Sequence, residues 1–425
     1  MKTDKFLHYT KSLCPQCFEE VIAIVAQKDN EIVMKKTCPM HGDFETVIWQ
    51  EGAEGYLRWL DYGGIDAEGL AKTEEELEKK QPDNAIFRQQ AMQQPAAAAL
   101  MTTDRCNMDC PICFTRNKNE APYYPTLSEL KEMMLFYKNH AGAGAPLEFC
   151  GGEPTLRDDL PQLAQMAREM GFDYIQLNTN GIRLSEDVGY CKELQQSGIT
   201  TVYLGFDGVD EAPYLYKYGR KMLAQKKKAI ENCAEASLAV VLVPCIIPHV
   251  NDGQIGGIVQ LAKQYMPTVK GVYFQPVSYF GIYESDEKKH ITIPHLLNEI
   301  ERQTEGEVKR EDFFPANYEH PLCSFNGFFL QGKDGRLHAI TKAKKRAYAA
   351  DGYKNIRSST KKTWRASNQK SLTIAGMAFQ DASNIDSSRI ARCSIQIIGK
   401  DKQMIPLCNK YLTNDAEEKM YGGIN

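Results

Sequence analysis

No run of apolar residues in this 425-residue chain approaches the ~20 needed to cross a bilayer, and the opening MKTDKFLHYTKSLCPQC has no apolar core of an export signal. Charge of one sign is also lacking. Fifty-one Lys and Arg stand against 55 Asp and Glu, a formal charge of -4, which leaves no basic excess to neutralise a run of phosphates. The expectation is a cytoplasmic protein that spans no membrane and binds no nucleic acid. Low-complexity tracts and repeats beyond a βα rhythm are missing too. A composition of 43% hydrophobic and 25% charged residues is that of ordinary globular domains. The length is about three times an average domain, room for a βα-type domain with additions.

Cysteine, by contrast, is plentiful: there are 13, several at x2 or x3 spacing. In a reducing compartment such clusters read as metal ligands before disulfides. The first lies in residues 1–51, where Cys14-Pro-Gln-Cys17 and Cys38-Pro-Met-His41-Gly flank an alternating stretch. Two knuckles of this kind predict a small metal-stapled lobe closed by Cys14, Cys17, Cys38 and His41, with zinc and mononuclear iron both open. Residues 52–95 carry an acidic helical segment, 73–80, and the QQAMQQP stretch, and read as a connector.

From residue 96 to 280 short apolar runs alternate with helical stretches. Six strands are predicted, over 98–103, 147–150, 174–178, 201–205, 239–244 and 271–275. Helices near 127–139, 159–171, 185–197, 218–236 and 251–266 are long enough for βαβ crossovers. The fold class is α/β, a partial (β/α)6 TIM-like barrel with chemistry at the carboxyl ends of the strands, and a doubly wound sheet is the alternative. Residues 281–425 lose the rhythm and predict a mixed C-terminal lobe, with a basic stretch at 342–346 that could form a solvated face or meet a phosphate or lipid headgroup.

The loop after the first strand reads Cys106-Asn-Met-Asp-Cys110-Pro-Ile-Cys113-Phe114. Three thiolates on one short loop can hold three irons of a [4Fe–4S] cluster and leave the fourth open for chemistry. The second strand ends in Gly151-Gly152-Glu153, where glycines let backbone approach a ligand and a carboxylate can accept from an ammonium. Further strand ends supply Asn178, Thr179, Asn180 and Asp207, and then an apolar tip with Ile246, Ile247 and Val250. Loop capping explains the polar ones equally well, and Asn251 and Asp252 read equally well as a helix cap.

The C-x3-C-x2-C loop with its following aromatic, and the GGE tripeptide behind it, resemble the radical S-adenosylmethionine superfamily. That resemblance implies a [4Fe–4S] cluster on Cys106, Cys110 and Cys113 and S-adenosylmethionine held by Phe114, Gly151, Gly152, Glu153, Asn178, Thr179, Asn180, Asp207 and Ile247. It further implies reductive cleavage of the cofactor to a 5′-deoxyadenosyl radical that abstracts hydrogen from unactivated carbon, with electrons from a donor such as ferredoxin or flavodoxin. The added N-terminal knuckle resembles the subgroup of tetraether lipid synthase and pterin C-methyltransferases. Carbon–carbon bond formation is then expected, by C-methylation of a pterin-like small molecule or by coupling of lipid alkyl chains, the latter with peripheral membrane contact. Peptide maturation is the second enzyme reading, and a non-catalytic metal-binding scaffold is the least favoured.

Of the remaining cysteines, Cys191 and Cys233 fall in predicted helices and read as buried hydrophobes. Cys150 and Cys245 sit at strand ends, where packing and chemistry are equally good readings. Cys323, Cys393 and Cys408 could furnish an auxiliary iron–sulfur cluster, or be isolated core thiols. Tyr273, Gln275, Tyr279, Tyr283 and His249 are candidates for substrate contact.

Overall fold

A computed structural model describes residues 4–81, 87, 91, 93–115, 123–283, 288–316, 318–342 and 349–421. Part of the QQAMQQP stretch and most of the basic stretch 342–346 lie outside the described residues; Lys342 itself pairs with Glu311 at 3.4 Å.

The N-terminal lobe is a four-stranded antiparallel meander, β1 (Lys5–Leu13), β2 (Glu20–Lys28), β3 (Glu31–Cys38) and β4 (Gly42–Trp49). Two helices follow, α1 (Ala53–Tyr62) and α2 (Glu74–Lys80), the latter capped by the Thr73 side chain on the Glu76 N–H. The α1 residues Tyr56, Trp59 and Leu60 are buried with Trp49, so the segment read as a connector also seats the lobe. The lobe is fastened to the C-terminal residues by buried polar bonds. Thr10 Oγ1 donates to Asp386 at 2.8 Å, Ser12 Oγ to the Ile385 carbonyl at 2.6 Å, and Lys36 Nζ to the Ala382 carbonyl at 2.8 Å.

The second sheet has a core of β5 (Ala97–Thr103), β7 (Leu147–Gly151), β8 (Ile175–Thr179), β9 (Thr201–Gly205), β10 (Ala239–Val243) and β12 (Val269–Pro276). The short strands β6 (Ile112–Cys113) and β11 (Cys245–Ile246) lie at its carboxyl end. The six core strands run parallel in chain order, with no reversal of direction across the sheet. That order is the winding of a barrel; a doubly wound sheet would switch sides part-way. Helices α3 (Leu127–Ala141), α4 (Leu160–Glu169), α5 (Ile182–Glu186), α6 (Val188–Ser197), α7 (Ala212–Tyr218), α8 (Leu223–Glu235) and α9 (Ile255–Gln264) make the crossovers. The helix expected over 185–197 breaks at Asp187, whose side chain caps α6. Alternate strand residues such as Leu147, Phe149, Ile175, Leu177, Val202 and Leu204 are buried in the layer shared with these helices.

The C-terminal residues add β13 (Ile282–Tyr283), β14 (Ser324–Gln331), β15 (Leu337–Ala339), β16 (Ser371–Met377), β17 (Ile395–Ile398) and β18 (Met404–Pro406), with helices α10 (Ile293–Gln303), α11 (Gly352–Thr363), α12 (Ser387–Ala391) and α13 (Leu407–Tyr411). They extend the core sheet at both edges: β16 pairs parallel to β12, and β17 pairs parallel to β5. Among the described residues no ladder joins the two ends, so the barrel stays partial.

Candidate active site

The cysteine loop leaves β5 at its carboxyl end and is pinched at its base, where the Asp104 N–H donates to the Tyr123 carbonyl at 2.8 Å. Arg157, 1% exposed, braces that base by donating to the Thr102 and Pro125 carbonyls at 3.0 and 2.7 Å. The far side of the loop is clamped by antiparallel pairing of β6 with β13. Gly281 at the start of that clamp has φ +72, and a Cβ there would meet the carbonyls of Cys113 and Phe114 at 2.5 and 2.7 Å.

Backbone bonds join the GGE turn to this loop. The Gly152 N–H donates to the Thr103 carbonyl at 2.7 Å and the Glu153 N–H to that of Arg105 at 2.8 Å. A Cβ on Gly151 (φ +150) would collide with the Thr103 carbonyl, and one on Gly152 with those of Arg105 and Asp104, so the close approach tolerates only glycine. Glu153 is 1% exposed and directs its carboxylate within the turn. It accepts from the Thr155 N–H at 3.1 Å, from the hydroxyls of Thr155 and Thr179 at 2.6 and 2.7 Å, and from the Asn180 N–H at 2.7 Å. Asn180 in turn donates to Asn107 Oδ1 in the cysteine loop at 2.8 Å. One hydrogen-bonded unit therefore holds Cys106, Cys110 and Cys113 with Gly151, Gly152, Glu153, Thr179 and Asn180.

Asp207 and Asn178 are placed elsewhere. The Asp207 carboxylate is buried against Lys217 Nζ at 2.9 Å, the Tyr218 hydroxyl and the Cys245 N–H at 2.8 Å, and Asn251 ties its carbonyl at 2.7 Å. It anchors the loops after β9 and β10. Asn251 stands at the N-cap position of the short turn Asp252–Gln254, but its side chain is spent on the Asp207 and Cys245 carbonyls and makes no cap bond. Lys217 and Lys226, which the sequence reading passed over, bring positive charge toward Cys110; burial pushes that thiol up to about 12, Cys113 adds to the rise, and the two lysines oppose it. Lys226 is completely buried and donates to the Asn180 carbonyl at 2.6 Å. Ile247 packs with Val277, Tyr279 and Ile112 of the cysteine loop, and Tyr283 lies against the same cluster.

Asn178 points into the barrel. A cavity of about 290 Å³ runs from Phe114 at the carboxyl end to Trp364 at the floor. Its walls include Glu148, Gln176, Asn178, Tyr203, Tyr273 and Gln275. Tyr203 and Tyr273 pack around Trp364, with ring centroids 5.4 and 5.9 Å from it. Asn178 and Gln176 beside Glu148 favour its ionised form, and burial, which outweighs them, pushes its carboxyl up to about 7. Alternating polar residues inside the otherwise apolar strands 147–151 and 175–179 were the available signal for this wall. Tyr273 and Gln275 are thus cavity residues, whereas Tyr279 is tied to the Lys289 carbonyl at 2.7 Å and His249 lines a different pocket beside the N-terminal lobe.

Cys323, Cys393 and Cys408 come together around a small void of about 30 Å³. Arg389 Nε donates to Cys323 Sγ at 3.4 Å and the Gln380 N–H to Cys408 Sγ at 3.3 Å. Glu319, Met377, Phe379, Ile395 and Leu407 border both this void and the barrel cavity. Cys150 is packed against Met101, Sγ to Sδ 3.3 Å, while Cys191 and Cys233 are buried in α6 and α8.

In the N-terminal lobe the ligand atoms of Cys14, Cys17, Cys38 and His41 all lie within 4.8 Å of one another. Cys17 and Cys38 sulfurs are 3.9 Å apart, and His41 Nδ1 is 3.5 Å from Cys38 and 3.6 Å from Cys14. A tetrahedron with metal–sulfur bonds of ~2.3 Å and a metal–nitrogen bond of ~2.0 Å has edges of about 3.8 and 3.5 Å, so this donor set fits a tetrahedral metal. Although Cys38 is buried, the N–H groups of Met40 and His41 hold its pKa down to about 6, toward the thiolate a metal needs.

A partial barrel carrying three cysteines beside a glycine-lined turn is the architecture of a radical S-adenosylmethionine enzyme, and the superfamily's model matches residues 100–262. A second model, described as the HMPTM N-terminal zinc ribbon domain, matches residues 6–50. The 7,8-dihydro-6-hydroxymethylpterin dimethyltransferase of Methanocaldococcus jannaschii is 32% identical over 96% of this chain and 95% of its own. The chain belongs to the family of that enzyme. The mitochondrial GTP 3′,8-cyclase of Arabidopsis thaliana is 25% identical over 56% of this chain and 59% of its own. Among solved structures, SuiB of Streptococcus suis bound to precursor peptide SuiA covers 71% of this chain and 69% of its own, at 12% identity and a TM-score of 0.39.

The chain is therefore an iron–sulfur-dependent radical S-adenosylmethionine enzyme with an N-terminal metal site. Among the described residues no helix is long and apolar enough to cross a membrane.

Proposed function

We propose that this enzyme C-methylates a pterin-like small molecule, and the barrel cavity is the observation that carries the reading. A volume of about 290 Å³ with two carboxyls, five side-chain amides and two tyrosines on its wall suits one fused bicyclic ring. A cavity of that volume is too small for a pair of long alkyl chains, so lipid coupling is not favoured. The near full-length likeness to a pterin dimethyltransferase supports the same choice over peptide maturation.

When bound, the cluster supplies the electron that cleaves S-adenosylmethionine and opens hydrogen abstraction at carbon. The thiols of Cys106, Cys110 and Cys113 hold three of its corners. The backbone of Gly151 and Gly152, kept clear of side chains, receives the methionyl end of the cofactor, and Glu153 and Thr179 fix that turn. Asn180 couples the third strand tip to the cysteine loop, Asp207 with Lys217 holds the adjoining loops, and Ile247 with Phe114 offers apolar surface to the rest of the cofactor. Cys323, Cys393 and Cys408, gathered around one small void, would hold an auxiliary metal group. A low-potential donor such as ferredoxin or flavodoxin supplies electrons, in the cytoplasm.

Anaerobically reconstituted protein, given S-adenosylmethionine, a reductant and 6-hydroxymethyl-7,8-dihydropterin, should yield a pterin product heavier by one methylene unit or two. Substrate-independent formation of 5′-deoxyadenosine with no change in pterin mass would reject the reading.

A further inference from the structure

Glu148 stands out among the residues of the barrel wall. Its neighbours Leu147 and Phe149 turn outward into the helix layer, so Glu148 faces inward, and the surface it leaves uncovered opens on the cavity. The sheet register sets it beside Gln176, and Asn178 follows two residues further along the same face of β8. Gln176 Nε2 donates to Asn178 Oδ1 at 2.9 Å, and with Glu148 beside them in the register the three make one polar ledge. No Lys or Arg stands among the described residues lining the cavity. The second carboxyl there, Glu319, is already engaged by the hydroxyls of Ser324 and Ser394. A carboxyl placed in a barrel interior without a basic partner costs stability, and a ligand that brings donors would offset that cost.

The position also fits the size of a ring. Glu148 lies three residues below Gly151, roughly 10 Å along a strand at ~3.3 Å per residue. A fused bicycle laid along this wall spans much of that distance, with Tyr203 and Tyr273 for its faces.

We infer that Glu148, seated by Gln176 and Asn178, selects the substrate by accepting from the 2-amino and N3–H donors of an aminopyrimidinone ring. Two parallel N–H donors match the two oxygens of a carboxylate as a guanidinium does. A 2-oxo ring presents an acceptor at the first of those places and sets oxygen against oxygen. The ring end remote from Glu148 is thereby turned toward Phe114 and the cysteine loop. This rests on the pterin reading above and goes beyond it by naming the group that discriminates.

Binding to reconstituted full-length protein separates the two ideas. The probes are 6-hydroxymethylpterin, its 2-oxo lumazine counterpart and S-adenosylhomocysteine, each titrated by calorimetry against wild type and Glu148→Gln. Wild type should prefer the pterin to the lumazine by about 30-fold, and the variant should lose most of that preference while S-adenosylhomocysteine binds both proteins equally. Wild type that binds pterin and lumazine alike overturns the inference and leaves the pterin reading standing. So does a variant that keeps the full preference. Wild type that binds S-adenosylhomocysteine but neither ring overturns both. The wild-type preference needs no variant, so a variant that fails to fold does not remove the test.

Discussion

The N-terminal lobe and the barrel mouth both gather cysteines, and they differ in what surrounds them. The lobe's quartet is drawn in around the centre of a tetrahedron, with backbone N–H groups already favouring the Cys38 thiolate. Four protein ligands leave no position for a substrate, which is the mark of a structural metal. The barrel trio sits on a loop whose neighbours are glycines kept bare and carbonyls brought close, with Lys217 and Lys226 nearby. Its thiol at Cys110 is held protonated until a metal displaces the proton. A closed site stabilises a lobe; an open site does chemistry, and the surrounding backbone shows which is which.

The sharpest break of that contrast is to remove each set in turn. Replacing Cys106, Cys110 and Cys113 together by Ala should abolish cofactor cleavage, a loss of at least ~10³-fold, with the lobe's metal retained on elemental analysis. Replacing Cys38 by Ala should do the reverse. The lobe metal is lost and the unfolding midpoint falls by several degrees, while the barrel cluster keeps its absorbance and spin-resonance signal. Retained cleavage in the triple variant, or a lost cluster with Cys38→Ala, would erase the distinction.

A smaller change tests the bare backbone. Gly152→Ala places a Cβ against the carbonyls of Asp104 and Arg105, which cannot withdraw without moving the cysteine loop. Crowding of this kind costs ~1–3 kcal/mol, so S-adenosylhomocysteine should bind about 10- to 100-fold more weakly. Gly142→Ala is the control: it meets nothing within 4 Å and has φ +83, so it pays backbone strain but should leave cofactor affinity unchanged.

These contrasts were unequally visible in the sequence. The six core strands are legible because strands buried on both faces are continuous apolar runs, as Ala239–Val243 is. The cysteine and GGE motifs are legible because their spacing is local. The flanking strands Ser371–Met377 and Ile395–Ile398 are not, since what recruits them is the open edges of a sheet formed far earlier in the chain. The surroundings of Asp207 are hidden for the same reason. Its strand-tip position is legible, while Lys217, Tyr218 and Asn251, which surround it, come from later elements. Glu148 and Gln176 went unnoticed because a strand read for apolar content hides which face each polar residue takes.

The smallest expected effect concerns Glu148 itself and sets the cavity apart from the closed metal site by pH. Burial raises its carboxyl to about 7, against the opposing influence of Asn178 and Gln176, from an ordinary value of 4.5. A folded-state value raised above the unfolded one gives stability that is complete below about pH 4.5 and drains away as pH rises through 7. Tyr174, Tyr203 and Tyr273, which face it, are themselves pushed upward by burial and stay neutral across that window, and the upward-shifted Glu319 is common to wild type and variant. Glu148→Gln removes the ionisation and keeps the shape. It should therefore stay within about 1 kcal/mol of wild type at pH 5 and unfold a few degrees higher at pH 8, a gain of about 3 kcal/mol at most. Equal midpoints at both pH values would mean that the carboxyl is already compensated inside the barrel. A group compensated in that way has no need of a ligand's donors, so the same melting curves weigh on why the residue is acidic.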